Sequence, residues 1–469
     1  MKAFFRFLFL LLLLSEVVVL SAKLPNKVSY PGGKQYLYRV TLFDKMGSGF
    51  TTSHPEQFLS PRSLERRRRQ HIAVDSTDLP VSAVYVEQLR AEGMEVVSQS
   101  KWNNTVLVRS RDSRLAKKLT ALSCVREVRK VWTSPDSIGS PRSRQKVRGE
   151  LNRWDSISTG HYGVTTAQID MLGGIRLHNQ GYRGRGMMIA VLDGGFMNVD
   201  EISVLHRIRL AGTADVVVPP SKSIYRETDH GTMVLSAMAA EEPGLFVGTA
   251  PDADYWLIRC EDTETECLAE EDFWARAVEL ADSIGADVVN SSLGYHAFDE
   301  KTDNYKYYQQ DGHTALISRT ASMLARKGMV LVNSAGNDGM GTWKRINFPS
   351  DAYDILSVGA VTADGCNAAF SSVGPSADGR VKPDVMAQGS PTAVITGRGV
   401  ISRDIGTSFS TPLVAGLVAC LWQAFPERTA LEIINMVRQS GSNVATPDNI
   451  MGYGVPDFWK AYQEGKNNR

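Results

Sequence analysis

Three polar side chains stand beside small residues at positions that could support acyl-transfer chemistry. Asp193 precedes two glycines, His230 begins the tripeptide His-Gly-Thr, and Ser408 lies in the heptapeptide Gly-Thr-Ser-Phe-Ser-Thr-Pro. Taken singly, each has an ordinary explanation as a turn aspartate, a structural histidine or a helix-start serine. Taken together, they are the components of a triad in which serine attacks, histidine takes its proton and aspartate orients the histidine.

Short apolar segments precede several of these polar positions. Segments that are apolar without strict alternation lie at residues 187–192, 253–258, 288–290, 330–333 and 356–361. Such segments are typical of strands buried on both faces of a parallel sheet, and helical patterns at 270–284 and 314–327 lie between them. The alternation predicts an α/β, doubly wound domain with a mostly parallel sheet, whose chemistry lies beyond the carboxyl ends of the strands. Pro412 is expected in the first turn, ahead of a helix at 413–425.

The order Asp193, His230, Ser408, with Gly-Thr-Ser-x-Ser-x-Pro around the serine, resembles the subtilisin-like serine protease (subtilase) family over roughly residues 160–460. The resemblance implies a catalytic domain over 151–469 and a serine endopeptidase acting on polypeptides. An α/β-hydrolase is disfavoured because the serine lacks a G-x-S-x-G motif and that family runs Ser, Asp/Glu, His. One departure is Gly194, where many relatives carry Ser or Thr.

The resemblance also implies the residues around the triad. Asn337 would donate its amide to the oxyanion, with the backbone N–H of Ser408 as the second donor. Two segments would flank the cleft and bind an extended peptide through main-chain hydrogen bonds, and Asn347 would form the floor of the main specificity pocket. The expected substrate-binding residues are Ser292, Leu293, Gly294, Ser334, Ala335, Gly336 and Asn347.

Residues 1–22 have the pattern of a signal peptide. Lys2 and Arg6 precede a short apolar run, and small residues follow it. A membrane anchor is disfavoured because the run is interrupted by Glu16 and is shorter than a spanning helix needs. We therefore expect export to the periplasm or the extracellular space, with no membrane span after signal removal.

Residues 23–150 are predicted to form a small α+β, ferredoxin-like prodomain with two helices and four strands, followed by an exposed linker at 133–148. By resemblance, it would be a propeptide that assists folding, inhibits the cleft and is removed by self-cleavage. The run Arg66 to Arg69 is expected to be a solvated helix face. The segment carries 24 Lys+Arg against 12 Asp+Glu, whereas residues 151–469 carry 26 against 38, so the net charge of +1 joins a basic part to an acidic one.

No nucleic-acid partner is expected, because the chain has an export signal and little net charge. No cofactor or metal motif is present, and structural calcium, which is common in the family, is left open without ligands. A disulfide between Cys260 and Cys267 is also left open. Two alternatives remain, a catalytically silent subtilase-fold binding protein and a secreted esterase, and a monomer is expected.

Overall fold

The computed structural model describes residues 27–30, 33–139, 145–147, 160–217 and 223–467. The expected signal peptide at 1–22 lies outside these ranges, as does most of the stretch between 139 and 160. Within the described ranges, no helix is both long and apolar enough to cross a membrane.

The N-terminal part forms an antiparallel sheet of four strands with three helices. Its strands are β2 (Tyr36–Leu42), β3 (Glu95–Ser100), β4 (Thr105–Ser110) and β5 (Val125–Thr133), and its helices are α1 (Pro61–Arg69), α2 (Ala83–Ala91) and α3 (Leu115–Leu119). The order across the sheet is β3-β4-β2-β5. With α2 and α3 as crossovers, this is the β-α-β-β-α-β arrangement of a ferredoxin-like fold, as predicted; α1 is an added helix between β2 and α2.

The C-terminal part is built on a parallel sheet of seven strands in the order β15-β14-β13-β12-β7-β11-β8. These strands are β7 (Met188–Asp193), β8 (Arg209–Asp215), β11 (Asp254–Arg259), β12 (Val288–Ser291), β13 (Val330–Ser334), β14 (Leu356–Thr362) and β15 (Val385–Ser390). The predicted doubly wound α/β fold is confirmed. The two edge strands, β8 and β15, were not predicted.

Helices cover both faces of this sheet. They are α4 (Thr166–Asp170), α5 (Gly174–Asn179), α6 (His230–Ala239), α7 (Ala269–Ile284), α8 (Leu316–Ala321), α9 (Thr407–Ala424), α10 (Ala430–Gln439) and α11 (Phe458–Asn467). Alternate residues of the central strands enter two separate apolar clusters, one with α6 and α9 and the other with α7 and α8. The continuous apolar runs in the sequence reflect this burial on both faces.

Smaller elements complete the fold. Three two-stranded ribbons pair β1 (Lys27–Ser29) with β6 (Ser137–Gly139), β9 (Glu241–Glu242) with β10 (Phe246–Val247), and β16 (Thr392–Ile395) with β17 (Ile401–Asp404). Single 3₁₀ turns lie at Pro55–Gln57, Leu205–Arg207, Ile224–Arg226, Lys301–Asp303, Tyr307–Gln309 and Ala325–Lys327.

The N-terminal unit packs against α7. Its apolar residues Trp102, Val131 and Trp132 join the same cluster as Phe273 and Trp274 of that helix. The two parts therefore share a continuous apolar core on this face of the parallel sheet.

The arginine run in α1 also belongs to this contact, which corrects part of the prediction. Arg66 and Arg67 are buried, and both bind the carboxylate of Asp282 on α7, at 2.6 and 2.8 Å. Only Arg68 and Arg69 face solvent. The expectation of a solvated face is thus wrong for two of the four arginines, because a buried carboxylate on the other part of the chain pairs with them.

Candidate active site

Asp193 and His230 are brought together at the carboxyl edge of the parallel sheet. Asp193 is the last residue of β7 and is buried, whereas His230 is the first residue of α6. The Nδ1 atom of His230 lies 3.0 and 2.9 Å from the two carboxylate oxygens of Asp193. With Nδ1–H donating to this carboxylate, the Nε2 atom is left as the base of the ring.

The surroundings of His230 favour its charged form. Burial opposes the imidazolium, but the nearby carboxylates of Asp193, Glu261 and Asp229 outweigh burial and raise the pKa of His230 to about 9. The imidazolium that forms when serine gives up its proton is therefore stabilised here.

Ser408 lies in the first turn of α9, next to Phe409, whose ring is 5.8 Å from the His230 ring between centroids. Its hydroxyl donates to the carbonyl of Ser292 at 3.3 Å. Ser408 and His230 both lie in the described ranges, and no hydrogen bond joins the Ser408 hydroxyl to the His230 ring. Catalytic contacts of this kind often tighten only when substrate binds.

Pro412 lies inside α9 rather than in its first turn, which corrects the predicted helix start. The helix begins at Thr407, so Pro412 is its sixth residue. Because proline has no N–H, it cannot donate to the carbonyl of Ser408, four residues earlier. The hydroxyl of Ser292 donates to this carbonyl at 2.9 Å instead. Ser292 thus satisfies a backbone group that the helix leaves unpaired.

Asn337 is held in an orientation suited to an oxyanion. Its Oδ1 atom accepts hydrogen bonds from the backbone N–H and the hydroxyl of Thr407, at 2.9 and 3.0 Å. This fixes the amide with Nδ2 as the remaining donor, on an exposed residue. The backbone N–H of Ser408 belongs to the first turn of α9, where N–H groups have no partner within the helix. The two groups named as oxyanion donors therefore lie at one helix end.

The two predicted substrate segments follow neighbouring strands. Ser292, Leu293 and Gly294 come directly after β12, and Ser334 ends β13 with Ala335 and Gly336 behind it. The strands pair in parallel, so both segments leave the same sheet edge.

Gly336 has φ +109°, a backbone conformation that favours glycine. A Cβ atom there would come within 2.8 Å of Nδ2 of Asn347.

Asn347 lies between these two segments. Its backbone N–H donates to the carbonyl of Ala335 at 2.9 Å, and a Cβ on Gly294 would meet the Cβ of Asn347 at 2.9 Å. Its Nδ2 donates to the carboxylate of Asp338 at 2.9 Å, and the His296 ring lies 3.8 Å from the same carboxylate. The role of Asn347 as a pocket floor stays a prediction, and its surroundings add an acid and a histidine that were not predicted.

The described residues show neither a disulfide nor a metal-binding group. All five cysteines are described and are free thiols, so the structure does not join Cys260 to Cys267. In the described ranges, no three His, Cys, Asp or Glu side chains are grouped so that they could hold a metal ion. Structural calcium stays a prediction without ligands.

Comparisons with known proteins agree with this geometry. Residues 184–454, more than half of the chain, match the model of the subtilase family, and residues 37–147 match the propeptide domain of S8 peptidases described for Bacteroidota. A thermostable alkaline protease of Halalkalibacterium halodurans is 27% identical over 289 residues, which cover 61% of this chain and 70% of that protein.

Two further relatives are subtilisins. Subtilisin NAT of Bacillus subtilis subsp. natto is 29% identical over 260 residues, covering 55% of this chain and 61% of that protein, which is less than two thirds of its length. Subtilisin Savinase of Lederbergia lenta is 27% identical over 279 residues, covering 59% and 91%. The predicted assignment to the subtilisin-like peptidases is confirmed: the chain belongs to the subtilase family and carries an S8 propeptide domain.

Proposed function

We propose that this subtilase is an exported serine endopeptidase that is synthesised as an inhibited precursor and cuts itself free of its prodomain. The observation that carries the proposal is the arrangement at one sheet edge. The Asp193–His230 pair, the amide of Asn337 and Ser408 in the first turn of α9 lie beside two segments able to bind an extended peptide.

The proposed reaction proceeds through an acyl-enzyme. Ser408 Oγ attacks the peptide carbonyl while Nε2 of His230 takes its proton, and Asn337 and the Ser408 N–H stabilise the oxyanion. The C–N bond then breaks, and His230 returns the proton to the leaving amine. Water, deprotonated by His230, attacks the acyl group, and Ser408 recovers its proton as the peptide acid leaves.

Buried polar contacts with α7 support the role of the prodomain as an intramolecular inhibitor. Arg39 on β2 makes two hydrogen bonds of 2.8 Å from Nε to Asp272 and a further one of 2.6 Å from Nη2. The carboxylate of Glu279 accepts from the Ser100 hydroxyl at 2.5 Å and from the backbone N–H of Lys101 at 2.8 Å. Such paired, buried charges fix one docking orientation of the prodomain.

Hydrogen bonds connect one residue of the predicted linker to the neighbour of His230. The carbonyl of Gln145 accepts a hydrogen bond from Nδ2 of Asn198 at 2.8 Å, and the same Nδ2 donates to Gly397 at 2.6 Å. Gly397 in turn donates from its N–H to Asp229, the neighbour of His230, at 3.1 Å. This supports self-cleavage within the predicted linker at 133–148.

Active-site labelling and the state of the precursor test the proposal together. The wild-type enzyme should react with a fluorophosphonate, and Ser408→Ala should not react and should accumulate with residues 23–150 attached. N-terminal sequencing of the wild-type product should find a start inside the linker. Absence of labelling would favour a silent fold, whereas maturation of Ser408→Ala in a protease-free host would contradict self-cleavage. Comparing turnover of peptide and ester substrates separates a peptidase from an esterase.

A further inference from the structure

The position after the catalytic aspartate has no side chain, and a neighbouring carboxylate fills the space. A Cβ atom placed on Gly194 would lie 2.9 Å from Oε2 of Glu261 and 2.9 Å from a methyl group of Thr263. A Ser or Thr side chain, as many relatives carry, would therefore displace the Glu261 carboxylate. Gly194 and Glu261 form a matched pair beside Asp193.

The parallel sheet places Glu261 at its carboxyl edge, beside the end of β7. It is the second residue after β11, whose last residue, Arg259, is paired in register with Asp193 of β7. The backbone N–H of Cys260 donates to the carbonyl of Asp193 at 3.0 Å. The position of Glu261 thus follows from the register of two central strands.

The charges around this carboxylate are almost all negative. The titratable groups that act on Glu261 or His230 are Asp193 of β7, Asp229 before α6, Cys260, Asp262 and Glu266 after β11, Glu270 of α7 and Tyr295 after β12. Arg259, the cation at the end of β11, pairs instead with Asp215 at 3.1 Å. The His230 imidazolium is therefore the main positive charge available to Glu261 within the described residues.

The pKa values of the two side chains indicate that their charges interact. Burial and then the Asp193 charge raise the pKa of Glu261 to about 7, whereas His230 acts in the opposite direction. Above this value Glu261 is ionised and adds a second carboxylate that favours the charged ring. Removing its charge should lower the pKa of His230.

We propose that Glu261 is a positioning residue for the catalytic reaction, which acts through the Asp193–His230 pair and stabilises the imidazolium as Ser408 gives up its proton. The effect on turnover rests on the proposed peptidase function, whereas the interaction between the Glu261 and His230 charges does not. It also explains why glycine stands at position 194, since the carboxylate needs that space.

Titration of His230 in the inactive precursor tests the interaction between the Glu261 and His230 charges and needs no enzymatic activity. The ring would be followed by NMR in Ser408→Ala and in Ser408→Ala/Glu261→Gln, and assigned with His230→Gln among the eight histidines. We expect the pKa of His230 to fall by on the order of one unit in the Gln variant. The matched control is Glu264→Gln in the same background, an exposed carboxylate of the same loop, which should leave the titration unchanged.

The matured enzyme gives a second measurement. In Glu261→Gln the acid limb of the pH profile of kcat/KM should move to lower pH by the same amount, and Glu261→Asp should restore part of the shift. Gly194→Ala should move the limb in the same direction, and adding it to Glu261→Gln should change little further. An unchanged or raised His230 pKa in the precursor overturns the proposal, whatever the activity of the enzyme proves to be. If the His230 titration shifts but no variant cleaves peptides, the peptidase function is contradicted while the interaction between the Glu261 and His230 charges is supported.

Discussion

Pro412 inside α9 leaves a backbone carbonyl of the catalytic segment without its helical partner. Pro412 removes one helix hydrogen bond, so the carbonyl of Ser408 needs a partner from elsewhere, and Ser292 supplies it at 2.9 Å. Ser292 also accepts the Ser408 hydroxyl through its own carbonyl. The nucleophile is thus tied to one of the predicted substrate segments by two hydrogen bonds in opposite directions.

Ser292→Ala should weaken this connection. The Ser408 carbonyl in α9 would lose the hydroxyl that pairs with it, and we expect the free energy of unfolding to fall by about 1–3 kcal/mol. Denaturant titration of the Ser408→Ala precursor with and without the substitution measures the change, with Ser402→Ala as the control on a peripheral ribbon. A loss no larger than that of the control would show that water replaces the hydroxyl.

Asn337→Ala should remove one oxyanion donor. Because the negative charge develops only in the transition state, we expect kcat to fall by roughly 10²–10³, a figure that comes from the equivalent change in subtilisin, while KM changes little. Asn435→Ala on the exposed face of α10 is a suitable control for general effects. A rise in KM with unchanged kcat would instead indicate that Asn337 only binds substrate.

The pH dependence should follow His230. Its pKa is raised from 6.5 to about 9, so the ring is protonated below that value and becomes a base only as the pH rises through it. We therefore expect the acid limb of kcat/KM for peptide hydrolysis to lie above pH 6.5, towards 9. A limb at or below 6.5 would show that the carboxylates around the ring do not favour its charge in the matured enzyme.

At the scale of elements, the central strands were predictable because burial on both faces leaves unbroken apolar runs. The predicted 187–192 and 356–361, for example, became Met188–Asp193 and Leu356–Thr362. Strand β8 (Arg209–Asp215) was missed because it lies at the sheet edge, where exposed and half-buried residues give no apolar run. The start of α9 was missed because Gly, Thr, Ser and Pro are poor helix formers, and burial overrides their preference.

The contact between the two parts of the chain was beyond prediction from local pattern. A run of arginines indicates a charged surface, and only the partner across the interface decides which members are buried. Arg66 and Arg67 find Asp282, more than two hundred residues away, and Lys101 reaches the same carboxylate at 3.1 Å. Burial alone would raise the pKa of Asp282, but these three cations lower it below its usual range.

Asp282→Asn should therefore weaken the hold of the prodomain. Arg66 and Lys101 would lose their carboxylate partner and Arg67 would keep only Asp78, within the prodomain. Breaking a buried pair typically costs about 3–5 kcal/mol, so we expect the prodomain to dissociate at least a hundredfold faster. The dissociation rate of the prodomain (residues 23–150) from the matured variant measures this effect. Asp303→Asn, which loses only the more exposed pair with Arg129 at 3.2 Å, should dissociate nearly as slowly as the wild type.

At the scale of the whole molecule, the near-neutral net charge is the sum of a basic N-terminal part and an acidic C-terminal part. The basic segment 23–150 meets an acidic catalytic part, and the contacts place several of its cations on α7 and the loop that follows it. The pairs differ in exposure: Arg66–Asp282 is fully buried, whereas the Arg62 side chain beside Asp287 is 36% exposed. We therefore expect charge to serve two purposes, long-range attraction from the exposed groups and a fixed docking orientation from the buried ones.

This division predicts a specific response to salt. Exposed charges act over distances that about 0.1 M salt screens within roughly 10 Å, whereas buried pairs are screened much less. We therefore expect the association rate of the separated prodomain with the matured enzyme to fall as salt rises from about 0.05 to 0.5 M, while its dissociation rate changes little. Stopped-flow inhibition kinetics at a series of salt concentrations separate the two rates. If neither rate responds, the opposite charges of the two halves do not guide docking, and the apolar contact with α7 carries it; if dissociation accelerates instead, the ion pairs on α7 are open to solvent in the complex.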